Sequence, residues 1–116
     1  MEEQYLVNTV RSMSSGTVGR SLNTVRNHHF VIDSPSIGEE ITSGDAFLAG
    51  VSSCGVTLIE RAAQDLGIPL RRMDVTIEGF RDRSAPTSFA RVDMHFRFVG
   101  VTQEQADILV DRYREG

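Results

Sequence analysis

Lysine is absent from the chain, and its 116 residues include one cysteine and three prolines. Without lysine, the protein has no Schiff-base chemistry, no P-loop phosphate site and no lysine general base. The single cysteine, Cys54, cannot form an internal disulfide, which is typical of a protein in a reducing compartment. All twelve basic residues are arginines. Any permanent positive charge in a site must therefore come from a guanidinium.

Acidic residues outnumber basic ones, sixteen to twelve, and give a net charge of −4. This negative field repels nucleic acids and anionic membranes, so we expect neither as a partner. Residues 1–10 lack the basic and long apolar regions of a secretory signal peptide. The longest nearly apolar stretch, residues 46–59, contains three hydroxyl side chains and is shorter than a membrane span. These features predict a cytoplasmic protein.

The first third of the chain has the composition of β-structure. Its length, 40% apolar residues and lack of repeats or linkers predict a single domain over residues 1–116. Polar and β-branched residues alternate irregularly over 4–13 and 18–33, with a turn signal at 14–16, which predicts strands joined in a hairpin. A loop rich in serine, proline and glycine follows from 33 to about 43.

A long helix is predicted over residues 44–66, where apolar side chains recur at helical spacing and polar ones occupy the other side. The apolar positions on this face are Phe47, Val51, Cys54, Leu58 and Ala62. The face is wide, so we expect a sheet or a partner chain to enclose the helix. Gly67, followed by Ile68 and Pro69, supplies the stop signal.

The last part of the chain predicts a long hairpin and a final helix. Apolar and polar residues alternate over 73–78 and 90–98, on either side of a loop at 81–88. Thr102 and Gln105 have the spacing of a capping box. The buried stripe of the helix that follows comprises Ala106, Leu109, Val110 and Tyr113. The order β, β, α, β, β, α indicates an α+β fold with antiparallel sheet.

Cys54 is the candidate nucleophile, and its position allows two interpretations. A lone cysteine on the apolar face of a helix is commonly a small buried hydrophobe, and burial would raise the pKa of its thiol and make it inert. A reactive thiolate would need a nearby guanidinium and small neighbours that admit a substrate. Such small neighbours are present at Gly50, Ser52, Ser53 and Gly55.

Other polar residues give weaker signals. Neighbouring His28 and His29 point to opposite faces of one strand, and His95 lies on a polar strand face, so we expect no metal site. Asp45 lies in the first turn of the long helix, where the helix dipole alone favours a carboxylate. Nine residues separate it from Cys54, which puts the two on opposite sides of the helix.

Four segments of the sequence resemble the OsmC/Ohr family of osmotically inducible and organic-hydroperoxide-resistance proteins. They are residues 28–35 (HHFVIDSP), 47–55 (FLAGVSSCG), 67–70 (GIPL) and 75–79 (VTIEG). The resemblance implies an intertwined homodimer, with two long buried helices packed at its centre and antiparallel sheets from both subunits around them.

The resemblance also implies a chemistry. Members of the family reduce organic or inorganic hydroperoxides with a helical cysteine thiolate, without metal or prosthetic group, and Cys54 matches that cysteine. The sulfenic acid formed is resolved by a second cysteine, and dithiol reductants such as lipoylated proteins regenerate the thiol. Arg20 is the first match for the family's arginine and Arg26 the second. Asp45 is the acidic residue nearest to the family's glutamate, and Ser43 takes the place of its proline.

The sequence departs from the family pattern at its end. The resolving cysteine of the family, in a Cys-Pro dipeptide, and one more strand would follow the last helix, but the sequence ends at Gly116. We therefore expect a chain lacking its C-terminal strand, or a protein whose sulfenic acid reacts with an external thiol. One alternative is a non-catalytic protein that binds a small hydrophobic ligand in the dimer cleft, with Cys54 merely packed. Another is a structural dimerisation module without a pocket at Cys54.

Overall fold

Five strands and two helices make up residues 4–115, the part of the chain that the computed structural model describes. In chain order they are β1 (Arg11–Ser14), β2 (Arg20–Val25), β3 (His28–Asp33), α1 (Ser43–Leu66), β4 (Arg72–Phe80), β5 (Arg91–Val99) and α2 (Gln103–Glu115). The predicted α+β class with antiparallel sheets is confirmed. The chain divides into two compact units between Ala46 and Phe47.

The first unit is a three-stranded antiparallel sheet in the order β1-β2-β3. The prediction of a continuous strand over 18–33 is wrong, because Arg26 and Asn27 form a turn in which Arg26 has a φ of 53°. This turn also shortens the first strand. β2 ends at Val25, just beyond the partner of Arg11, so residues 4–10 have no strand opposite them and the predicted strand over 4–13 begins only at Arg11.

The first unit buries polar rather than apolar side chains. Asn23 and Asp33 are its buried residues within the described chain. Its large apolar side chains are instead exposed, and they include Leu6, Val7, Val10, Met13, Val18, Leu22 and Phe30. This sheet therefore has no apolar core of its own.

The second unit contains the apolar core. β4 and β5 pair antiparallel from Arg72 opposite Val99 to Phe80 opposite Arg91, as predicted. Helix α1 contributes Ile59, Ala62 and Ala63 to the core, at the helical spacing that aligns them on one face. Met73 of β4 and Leu109 of α2 complete the cluster.

The end of α1 and the start of α2 have the structures that the sequence predicts. Gly67 has a φ of 68°, its N–H donates to the carbonyl of Gln64 at 3.3 Å, and the N–H of Ile68 donates to the carbonyl of Ala63 at 2.9 Å. This is a Schellman end. At the start of α2, the N–H of Thr102 donates to Gln105 Oε1 and the N–H of Gln105 donates to Thr102 Oγ1, which is a capping box.

Helix α1 is covered by its own chain on one side only. Gly55, Ile59, Ala62 and Ala63 are buried, whereas Phe47 is 57% exposed and Leu58 44% exposed. By length and composition alone, this 24-residue helix could also cross a membrane. The nearly apolar stretch at residues 46–59, which the sequence analysis considered, is too short to do so. Core helices of soluble proteins meet the same criterion.

Candidate functional site

Arg20 is the centre of a charged cluster in the first unit. It is the first residue of β2 and lies directly opposite Asp33, the last residue of β3. Arg20 Nε donates to Asp33 Oδ1 at 2.7 Å, and Arg20 Nη2 donates to Asp33 Oδ2 at 2.9 Å. Such a two-bond pairing fixes the plane of the guanidinium as well as its position.

The loop after β3 closes over this pair. Arg20 Nη2 also donates to Glu39 Oε1 at 2.7 Å, while the backbone N–H of Glu40 donates to Asp33 Oδ2 at 2.9 Å. The backbone N–H of Asp33 donates to the carbonyl of Ile41 at 2.9 Å. Asp33 is consequently only 1% exposed, with every polar atom of its side chain engaged.

These contacts shift the pKa values of both Asp33 and Arg20. The hydrogen bond from Arg20 lowers the pKa of Asp33 from 3.8 to about 2, against the opposing effect of burial. Hydrogen bonds to Asp33 and then to Glu39 raise the pKa of Arg20 above its usual value. The Arg20–Asp33 pair therefore stays ionised at neutral pH.

Asp33 is expected to make the protein sensitive to acid. Because its pKa is lower in the folded chain than in the unfolded one, its stabilising contribution is complete above about pH 4 and is lost as the pH falls toward 2. Replacing Asp33 with asparagine should therefore flatten the dependence of stability on pH in this window. Urea unfolding at a series of pH values measures it. Asp111→Asn, at an exposed position of α2, should leave the slope unchanged, and an equal slope in Asp33→Asn would contradict the assignment.

The second predicted arginine, Arg26, lies in a different environment. It occupies the exposed turn between β2 and β3, and no carboxylate within residues 4–115 lies within ion-pair distance of it. Of the two arginines considered, Arg20 is thus the one whose guanidinium is fixed in position.

Asp45 caps the helix in which it lies. Its Oδ2 accepts the N–H of Thr42 at 3.0 Å, and its own N–H donates to Thr42 Oγ1 at 3.2 Å. This is a capping box with aspartate in the position usual for glutamate. The carboxylates that pair with Arg20 are those of Asp33 and Glu39, not that of Asp45.

Cys54 lies midway along α1 with its side chain exposed. Within its own chain, Cys54 is therefore not the small buried hydrophobe that the sequence allowed. The reason is that the buried side of α1 passes through the next residue, Gly55, which lies against Met94 and Tyr113. One turn before Cys54, a Cβ added to Gly50 would meet no atom within 4 Å, so the helix surface beside the sulfur is open.

An aromatic pair lies on the same face of α1 as Cys54. Phe47 precedes the cysteine by seven residues, close to two helical turns, so their side chains project to the same side. The ring of Phe47 stacks on that of Phe89, with centroids 6.1 Å apart and an interplanar angle of 24°. Phe89 is seated on Gly79, where a Cβ would overlap its ring. The face that carries the sulfur is therefore apolar and open, with aromatic rings at one end.

Metal-ligating side chains do not gather anywhere in the described chain. Over residues 4–115, the structure contains no group of three or more histidine, cysteine, aspartate or glutamate side chains placed to hold an ion. His29 Nδ1 is instead within hydrogen-bond distance of Thr24 Oγ1, and His95 Nε2 lies 3.3 Å from Glu78 Oε1.

A family model described as OsmC-like protein matches residues 36–115, more than two thirds of the chain. The chain belongs to the OsmC-like family. The match includes α1 with Cys54 and both elements of the second unit's hairpin, and it begins after Asp33. No curated protein sequence matches this OsmC-like chain.

Solved structures support the same fold. An OsmC-like protein from Mycoplasma pneumoniae aligns with a TM-score of 0.82 at 11% identity, covering 95% of this chain and 82% of the other. An organic hydroperoxide resistance protein from Legionella pneumophila aligns with a TM-score of 0.72 at 21% identity, covering 95% and 83%. OhrB, the organic hydroperoxide resistance protein of Bacillus subtilis, aligns with a TM-score of 0.69 at 19% identity, covering 95% and 84%. At these identities the likeness establishes the OsmC-like fold.

Asp33 and Glu39 are the members of the charged cluster that the sequence did not predict. The signal was present for Asp33, because Arg20 and Asp33 are equidistant from the turn at Arg26 and Asn27, so an antiparallel hairpin closed there pairs them. Glu39 reaches Arg20 through an irregular loop, for which no periodicity exists.

Proposed function

We propose that this OsmC-like protein is a thiol-dependent hydroperoxide reductase in which Cys54 is the nucleophile. The observation that carries the proposal is the exposed sulfur on an open, apolar helix face within the segment matched by the family model. Two proteins of similar fold are named organic hydroperoxide resistance proteins, which supports the same chemistry. The apolar surroundings favour an organic hydroperoxide, because its alkyl or aryl group gains from leaving water.

The reaction proceeds in steps that balance. The Cys54 thiolate attacks the outer oxygen of ROOH, the S–O bond forms as the O–O bond breaks, and the leaving alkoxide takes up a proton to become ROH. Sulfur is oxidised by two electrons to a sulfenic acid. An external thiol then attacks the sulfenic acid and displaces water to give a mixed disulfide with Cys54. A second thiol attacks the reductant sulfur of that mixed disulfide, which releases Cys54 as a thiolate and leaves the reductant as a disulfide. We propose a dithiol, such as a lipoylated protein, as reductant in the cytoplasm, since the sequence has no second cysteine.

Arg20 is the residue that we propose to stabilise the thiolate and the developing alkoxide. Its guanidinium is permanently charged, and lysine is absent from the sequence. The paired Asp33 and Glu39 hold it in place at the start of β2, which removes the entropic cost of ordering a long side chain. No metal or prosthetic group takes part in this proposal. We further propose that Asp45 influences Arg20 indirectly, by capping the start of α1 and keeping that end of the helix ordered.

The proposal includes a homodimer. Exposed apolar side chains lie in both units, among them Val18, Leu22 and Phe30 in the first and Phe47, Leu58 and Ile108 in the second. A second copy that covers these surfaces would exclude water around Cys54.

The direct test is to capture the sulfenic acid. The purified protein is mixed with one equivalent of cumene hydroperoxide in the presence of dimedone, and the intact mass is measured. We expect one dimedone adduct per chain, located on Cys54 by peptide mapping, and one equivalent of cumyl alcohol. Cumene hydroperoxide should react faster than hydrogen peroxide because of the apolar face. The absence of both the dimedone adduct and cumyl alcohol would disprove the proposal.

The second candidate is a protein that binds a small hydrophobic ligand without reaction. Its support is the same open apolar face, together with the single cysteine, which leaves no internal partner for a sulfenic acid. The pKa of the Cys54 thiol separates the two. A value well below the reference of about 8.5 supports the reductase, and a value above it supports the binding protein.

A further inference from the structure

Positive charge is concentrated where β4 turns back into β5. β4 ends at Phe80, and we call residues 81–91, the connecting loop with the first residue of β5, the hairpin tip. The hairpin tip has one acidic residue, Asp82, and three basic ones, namely Arg81, Arg83 and Arg91. Its net charge is therefore +2, and because the whole chain carries −4, the other residues carry −6. The hairpin tip is a positive surface on an otherwise acidic protein.

Two of these arginines are not neutralised by a carboxylate. Among residues 4–115, no carboxylate oxygen lies within ion-pair distance of the guanidinium of Arg81 or Arg83. Asp82, which lies between them in the sequence, instead accepts the N–H of Ser84 at 2.9 Å and its hydroxyl at 2.7 Å. The loop from 81 to 88 is exposed throughout. Arg81 and Arg83 therefore present their positive charge to solvent.

The hairpin tip lies beside the helix face that carries Cys54. Phe89 of the tip stacks on Phe47 of α1, with ring centroids 6.1 Å apart. Phe47 precedes Cys54 by seven residues, which is about 10 Å along the helix axis. A protein–protein interface of ordinary size, about 800 Å² on each partner, has a radius of about 16 Å. A protein that approaches Cys54 from the open side of α1 is thus wide enough to contact the hairpin tip as well.

We propose that the hairpin tip is the docking surface for the protein that reduces Cys54, and that this reductant is an acidic protein carrying a dithiol. The inference rests on the proposed function, in which the sulfenic acid requires external thiols because the sequence has no second cysteine. Charge complementarity selects the partner. The acidic remainder of the chain repels an acidic carrier, while the hairpin tip attracts it and so orients its dithiol toward α1. The arginines act on encounter and orientation and take no part in the sulfur chemistry.

The test uses two dithiol peptides that differ only in charge. Each contains the sequence Cys-Gly-Pro-Cys, followed by glutamates in one peptide and by the same number of glutamines in the other. Each peptide in turn drives the reduction of cumene hydroperoxide at low ionic strength. We expect kcat/KM for the glutamate peptide to exceed that for the glutamine peptide by about threefold to tenfold. Added salt should remove the difference, because the Debye length falls to about 3 Å at 1 M.

A pair of double variants locates the effect. Arg81→Gln/Arg83→Gln should lower kcat/KM for the glutamate peptide to the value for the glutamine peptide, which should itself not change. Arg72→Gln/Arg97→Gln is the matched control, because it removes two exposed arginines from the opposite end of the same hairpin. It should retain the preference. No preference in the wild type, or an equal effect of the two double variants, would overturn the proposal.

Dithiothreitol, a small neutral dithiol, separates this inference from the proposed function. If dithiothreitol supports turnover but the two peptides act equally well, the reductase stands and only the docking surface fails. If no dithiol supports turnover, the proposed function fails and the docking surface for a reductant fails with it. Both double variants should consume hydroperoxide at the wild-type rate with dithiothreitol, which also establishes that they are folded.

Discussion

Replacing Cys54 with serine is expected to abolish hydroperoxide consumption, lowering the rate by about a thousandfold or more. A serine hydroxyl stays protonated at neutral pH and does not attack a peroxide oxygen, and the sequence has no other cysteine to take over. The measurement is the loss of cumene hydroperoxide in the presence of excess dithiothreitol, followed by a ferrous-oxidation assay. Because Cys54 is exposed in its chain, the substitution should leave the fold intact.

The control for this experiment is the adjacent residue. Ser53 is also exposed on α1, so Ser53→Ala tests the effect of a similar change on the same helix without removing sulfur. It should retain most of the wild-type rate. Turnover that survives in Cys54→Ser would rule out the cysteine mechanism and would leave the ligand-binding candidate.

The elements of the second unit follow from local signals in the sequence. The alternation of β4 and β5, the glycine at the end of α1 and the pair Thr102 and Gln105 each act over a few residues, and each has the predicted structure. Local hydrogen bonding and side-chain periodicity determine these features, so a sequence without any aligned relatives is sufficient to predict them.

The first unit was harder to predict because its turn is unusual. Arg26 adopts the left-handed conformation that glycine or asparagine normally supplies, so the sequence Arg26-Asn27 does not have the signature of a tight hairpin. The missed turn hid the pairing of Arg20 with Asp33. The consequence for the site was direct: the acidic partner of Arg20 was expected at Asp45, in the helix, whereas the carboxylates bonded to it lie in β3 and in the loop that follows.

The burial of α1 depends on information that no single sequence contains. The helical pattern identifies the apolar positions, but it cannot distinguish a side that packs inside the chain from a side that packs on another copy. In the structure, Ile59 belongs to the first kind, whereas the adjacent Leu58 is 44% exposed in its own chain, and we propose that it packs on a second copy. Cys54 lies four residues before Leu58, on the side that its own chain leaves uncovered.

Leu58→Arg is expected to dissociate the proposed homodimer, raising its dissociation constant by at least about a hundredfold, the effect of burying an unpaired charge in an apolar interface. Leu58 lines a recess whose charged residues are Arg61, Asp65 and Arg112, so the new guanidinium would also meet a net positive charge. Sedimentation velocity over a range of protein concentrations measures the association.

The matched variant is Ile59→Ala, one residue further along the helix. Ile59 is fully buried in its own chain, so its truncation should lower the free energy of unfolding by about 2–5 kcal/mol while leaving the dimer assembled. The two neighbours would then separate internal packing from association. A wild-type protein that sediments as a monomer, or a Leu58→Arg variant that remains dimeric, would contradict the assignment of this face of α1 to a second copy. In that case the environment of Cys54 would be solvent, and the preference for organic hydroperoxides would lose its physical basis.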